Sequence, residues 1–219
     1  SAGWHETADR KAGYFDTSWA HPASWDDVIL QGPHLGVSTP MIKQPNPGLK
    51  SNKDWSEIDL EAMPATFIPA TALQPDRTKA SYDADYTHYL VGNERIADRN
   101  CFRFAWRKMA ATTGYRTLYP ALLPKRAAIS GAAISGTAPS NSAETVLAGA
   151  ALSSLLSDFV VRATGAANIY AQTVEGVPFA LTKDLKPIAL EKYLRLNCLT
   201  EAYAPLWEEL VGEPWDVDT

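Results

Sequence analysis

Between Cys101 and Leu123 the chain alternates with a period of two. Phe102, Phe104 and Trp106 fall on one side of an extended segment, and Arg103, Ala105 and Arg107 on the other. A polar stretch around Thr112-Thr113-Gly114 follows, and Arg116-Thr117-Leu118-Tyr119 opens a second apolar run that closes at Leu122-Leu123-Pro124. This spacing predicts two strands joined as a hairpin, with one aromatic face and one largely basic face. Ala127 to Gly136 is small and β-tolerant, a third strand candidate. Asp27 to Gln31 reads as a short strand running into the turn Gly32-Pro33, and Phe67-Ile68-Pro69 as an edge strand or extended segment.

Helical periodicity appears later. Ala143 to Thr164 predicts one long helix with Val146, Leu147, Ala151, Leu155, Phe159 and Val160 along a stripe, Glu144 in the first turn and Gly165 as terminator. Leu185 to Leu199 and Glu201 to Val211 predict two further amphipathic helices. Prolines at 45, 47, 64, 69 and 75 disfavour helices between Met41 and Pro75, and Ser51 to Trp55 reads as an exposed loop. The expected fold is therefore α+β: a mixed or antiparallel sheet with a central hairpin, packed by one long helix and two C-terminal helices. We expect a loop-rich part over 1–94 and a core over 95–219 within one continuous domain.

Composition narrows the function. The chain has 219 residues, enough to bury a sizeable core. It opens Ser1-Ala2-Gly3 with no methionine, as expected of a piece of a longer polypeptide. No apolar run has the length of a membrane span, and two cysteines far apart make no disulfide framework, so a cytoplasmic setting is expected. Four scattered histidines show no metal-ligand spacing. Net charge is −5, yet Arg95 to Arg126 holds eight basic residues and one acid, whereas Glu201 to Thr219 holds six acids and no base. A local basic block can face phosphates despite the overall sign, or be a solvated strand face.

Catalytic patterns are missing. There is no glycine-rich methyl-donor turn, P-loop, Gly-x-Ser-x-Gly elbow or paired His-Glu motif, and Asn46-Pro47-Gly48 falls short of the Asn-Pro-Pro-aromatic motif of adenine methyltransferases. Pro75-Asp76 and Asp184-Leu185-Lys186 fit a nuclease template only by force. The expectation is a chain with no catalytic, cofactor or metal residues of its own.

Three ordered stretches carry a resemblance: Phe104 to Met109 with Thr113 to Pro124, then Leu147 to Arg162, then Leu194 to Thr200 with Tyr203 to Trp207. Together they resemble the C-terminal specificity region of large fused restriction-modification adenine methyltransferases, including the TaqI-like specificity domains. Ser153-Ser154 stands where that family usually has Asn-Ser. The resemblance implies a DNA target-recognition domain of a bacterial restriction-modification or phage-defence protein. It also implies double-stranded DNA and an upstream methyltransferase domain as partners, with S-adenosylmethionine bound by the parent and not by this fragment. Candidate DNA-contacting residues are Arg103, Arg107, Lys108, Arg116, Lys125 and Arg126 around the hairpin. Lys43, Lys50, Asn52, Lys53, Arg77 and Lys79 are further candidates, in loops suited to base readout. Arg107 and Arg116 could equally bridge to acids such as Asp98 or Asp158. The competing reading is a protein-interaction module that docks to other parts of the same defence complex through its acidic tail and tryptophans.

Overall fold

The computed structural model describes residues 2–111, 113–178 and 181–216. Its centre is the expected hairpin. Strand Arg103–Arg107 runs antiparallel to Pro120–Leu123, with Arg103 opposite Leu123 and Trp106 opposite Pro120. Ala133–Gly136 pairs antiparallel along the other edge of Arg103–Arg107, making a three-stranded sheet. Gly136 lies opposite Phe104, where a Cβ would meet the tip of the Phe104 ring at 2.6 Å and make that ring shift.

In chain order the other strands are β1 (Phe15–Ala20), β2 (Ile29–Leu30), β3 (Lys43–Pro45), β4 (Trp55–Glu57), β5 (Thr71–Pro75), β6 (His88–Val91) and β7 (Glu94–Ala97). The sheet strands above are β8, β9 and β11, and β10 is Ala128–Ile129. Four antiparallel or parallel pairs surround the central sheet: β1 with β5, β3 with β4, β6 with β7, and the parallel pair β2 with β10. The segment expected as one third strand is therefore divided, with β10 leaving to join β2 and β11 staying in the central sheet. Phe67-Ile68-Pro69 joins no sheet, and the paired strand begins at Thr71.

The helices are α1 (Ala8–Lys11), α2 (Tyr82–Asp85), α3 (Ser142–Leu152), α4 (Leu155–Ala163), α5 (Ala171–Glu175), α6 (Leu185–Asn197) and α7 (Ala204–Val211). The long helix expected over Ala143 to Thr164 is in fact α3 and α4, bent by 64° at Ser153-Ser154. The serines cause the break. The Ser153 hydroxyl donates to the Gly149 carbonyl, and the Ser154 side chain caps α4 by accepting from Ser157 N at 3.1 Å. The bend moves Leu155 and Phe159 off the expected buried stripe and into solvent. Gly165, at φ +65°, follows α4 as expected. The two C-terminal helices form as α6 and α7.

Both faces of the central sheet are covered. On the aromatic side Phe102, Leu122, Val146, Tyr193, Leu194, Leu206 and Trp207 make one core cluster, with α3 packed between sheet and α6. Gly149 allows that approach, since a Cβ there would meet the Tyr193 ring at 2.6 Å. On the side expected to be basic and open, Ala105, Ala121, Leu123 and Ala133 pack against Val28, Leu30 and Leu35. The N-terminal segment covers the arginine face. Strand alternation gave the right parity but no account of what lies across from it.

Candidate nucleic-acid interface

Two segments distant in sequence, residues 158–162 and 197–203, converge on the stretch from Arg116 to Leu123. The Asp158 carboxylate of α4 accepts from Thr117 N at 2.7 Å and Leu118 N at 2.8 Å, and pairs with Arg116 at 3.4 Å and Arg162 at 3.8 Å. Arg162 Nε donates to the Thr117 hydroxyl at 3.0 Å, and its Nη2 to the Gly114 carbonyl at 2.8 Å. Asn197 Oδ1, at the end of α6, accepts from Leu122 N at 2.8 Å, and the Tyr203 hydroxyl, just before α7, donates to the Leu122 carbonyl at 3.0 Å. Backbone groups on the free edge of β9 and in the approach to it are thus satisfied by side chains, as buried amides require.

Four of the six hairpin candidates are engaged internally. Arg103 is wholly buried, paired to Asp98 at 3.1 Å and bonded to the Ala127 carbonyl, so as placed it meets no ligand from solvent. Arg107 donates to the Leu35 carbonyl and stacks over Tyr119 at 4.1 Å. Arg116 donates to the Ser153 carbonyl at 2.7 Å besides its pairing with Asp158. Arg126, at φ +77°, holds Asp26 through two hydrogen bonds of 2.7 and 2.9 Å. The bridging role weighed for Arg116 matches its contact with Asp158, whereas Asp98 partners Arg103.

Asp26 is a hub that the sequence did not reveal. Arg126, Arg99 and Arg77 surround it, with Asp83 bonded to both Arg77 and Arg99. The Arg126 hydrogen bonds, then the charges of Arg126, Arg99 and Arg77, hold the Asp26 carboxyl below its ordinary range. The cleft there, of about 200 Å³, is lined by Asp26, Asp83, Ala97, Arg99, Asn100 and Arg126, and its acids offset its bases. Asp26 lies a hundred positions from Arg126, so no local pattern announces the pairing. Arg77 belongs to this cluster. Lys79 donates to the Ala12 carbonyl at 2.6 Å and sits over the Tyr14 ring.

Of the remaining candidates, Lys43 and Lys108 are half-buried and Lys50, Asn52, Lys53 and Lys125 are exposed. Lys43 pairs with Glu57 across the β3–β4 hairpin at 3.5 Å. Lys108 and Lys125 lie near the Tyr170 and Phe102 rings, at 5.1 and 5.0 Å. Between β3 and β4, Lys50, Asn52 and Lys53 are exposed, and among the described residues neither lysine makes an ion pair. Asp54 orders this loop: it accepts from Asn46 Nδ2 at 2.8 Å and Lys50 N at 2.9 Å, and those bonds lower its pKa. Leu49 sits in the left-handed region at φ +40°, which the surrounding bonds stabilise. The result is a shaped loop with two exposed ammonium groups and an amide at its surface.

Among the described residues no group of three His, Cys, Asp or Glu side chains is placed to hold a metal ion. No single described helix is long and apolar enough to cross a membrane. No family model, no curated protein and no solved structure matches the chain.

Proposed function

We propose that this chain is a DNA target-recognition module of an adenine-specific DNA methyltransferase, binding duplex DNA and orienting it for an upstream catalytic domain. The observation that carries this reading is the convergence on Arg116 to Leu123. The three stretches that resemble such specificity regions are distant in sequence, yet Asp158, Asn197 and Tyr203 all bond to that one stretch. They behave as one scaffold, and the arginines in it brace backbone. Contact with DNA then falls to the β3–β4 loop, with Lys50 and Lys53 neutralising phosphates and Asn52 offering the paired donor and acceptor that suit an adenine edge. Lys108 and Lys125 add phosphate contacts at the hairpin ends. The upstream domain would bind S-adenosylmethionine and act on an extruded adenine.

Duplex binding measured across a salt series tests this. A steep linear fall of log K with log salt supports phosphate contact, and no binding at low salt overturns the reading for this chain. A second reading has one observation in its favour: Leu155, Leu156 and Phe159 form an exposed apolar face on α4, as on a module that docks to another protein. Salt-insensitive association with a protein partner, without DNA binding, would favour it.

A further inference from the structure

Tyr115 stands alone in the loop between β8 and β9. Its accessibility is 103% of that of an unpacked residue, so its ring touches nothing. The backbone on either side is fixed. Arg162 holds the Gly114 carbonyl at 2.8 Å, Arg116 grips the Ser153 carbonyl, and Asp158 takes both Thr117 N and Leu118 N. Three charged side chains therefore pin the two flanks of a residue that contributes no packing. A mobile surface tyrosine would need no such support. A ring held out on a braced stalk is pre-organised for a partner.

The charge around the stalk indicates which partner. Arg116 and Arg162 stand at the stalk against the one carboxylate of Asp158 that pairs with both, which leaves this cluster with a net charge of +1. An exposed aromatic ring beside a net positive cluster fits the two faces of an opened nucleic acid, its anionic backbone and its unstacked base. We propose that Tyr115 stacks on a base at the point where bound duplex DNA is opened. This rests on the DNA-recognition reading and assigns it a stacking residue outside the phosphate-contacting loop.

The test compares the full chain, Tyr115→Ala and Tyr115→Trp on two labelled duplexes, one intact and one carrying a single abasic site where stacking room already exists. The native chain should bind the abasic duplex about tenfold tighter than the intact one. Tyr115→Ala should lose that preference and Tyr115→Trp should keep it, with the salt dependence of all three proteins the same. Because the ring makes no contact, all three should have the same melting temperature. DNA binding with a normal salt slope, but with a preference that Tyr115→Ala retains or that the native chain lacks, overturns the stacking role alone. Failure of the native chain to bind either duplex overturns the DNA reading and this proposal together.

Discussion

Arg103 and Asp98 face each other at 3.1 Å with both side chains entirely shut off from solvent. The β8 alternation makes Arg103 look like a surface cation. It instead ties the central sheet to the turn at Asp98–Asn100 and to the Ala127 carbonyl. Removing one member leaves the other charged, buried and short of a partner. Arg103→Met should destabilise the fold by about 3–5 kcal/mol, whereas replacing both residues with apolar ones should cost much less. Urea unfolding of the single and double variants measures the difference.

The β3–β4 loop predicts a different outcome. Lys50→Ala and Lys53→Ala remove exposed cations without disturbing any bond that shapes the loop. Each should leave the unfolding midpoint within about 0.5 kcal/mol of native stability. Each should also reduce the slope of log K against log salt for duplex DNA by ~0.9. A slope unchanged in the double variant would remove this loop from the interface.

His34 makes stability depend on pH. It is fully buried, accepting from Gln31 N at 3.0 Å through Nδ1 and donating through Nε2 to the Ala70 carbonyl, also at 3.0 Å. Burial pushes its pKa down to about 4. The folded state therefore binds the proton less readily than the unfolded state, whose histidine titrates near 6.5. This contribution is fully present above about pH 6.5 and is lost as pH falls toward 4, amounting to about 3 kcal/mol. His34→Gln should flatten the stability profile across that window when denaturation is followed from pH 7 to 4.

Asp158 holds two backbone amides and two arginines at once. Asp158→Ala should cost about 3–5 kcal/mol and loosen the loop that carries Tyr115. Asp158→Asn, which keeps an acceptor, should cost less. Hydrogen exchange at Thr117 and Leu118 should rise in the alanine variant before global unfolding does.

Much of this architecture could be read from periodicity, because the signals concerned are local. The β8–β9 hairpin, α6, α7 and the Gly165 stop all depend on residues within a few positions of each other. The break at Ser153-Ser154 is hidden in the sequence because the apolar positions continue the helical stripe while the serine hydroxyls compete for backbone. The fate of the arginines could not be read, since burial depends on what the chain brings across from them. Residues 28–35 do that for Arg107, whereas Arg126 stays exposed and is tied by its ion pair to Asp26. Lys50, Asn52 and Lys53 of the β3–β4 loop have the exposure that their proline-flanked context implies. Thr112, part of the expected linker, lies outside the described residues.

Burial also decides the thiols. Cys198 is pushed up to about 12 by desolvation, and Cys101 is raised for the same reason. Neither should react with a thiol reagent at pH 8 in the native state, and both should react in denaturant. A labelling time course followed by mass spectrometry checks this.

The parallel pair of β2 with β10 sets Leu30 beside Ile129. Closing a loop of about a hundred residues costs about 4 kcal/mol before any contact offsets it. At ~5–20 residues per second, a ribosome needs roughly 5–20 s to make the intervening chain. Throughout that interval Ile29 and Leu30 lack their strand partner, and Val28 and Leu30 lack the completed sheet face they cover. The segment that hides the arginines is thus itself exposed during synthesis, and it is there that a chaperone would be expected to bind.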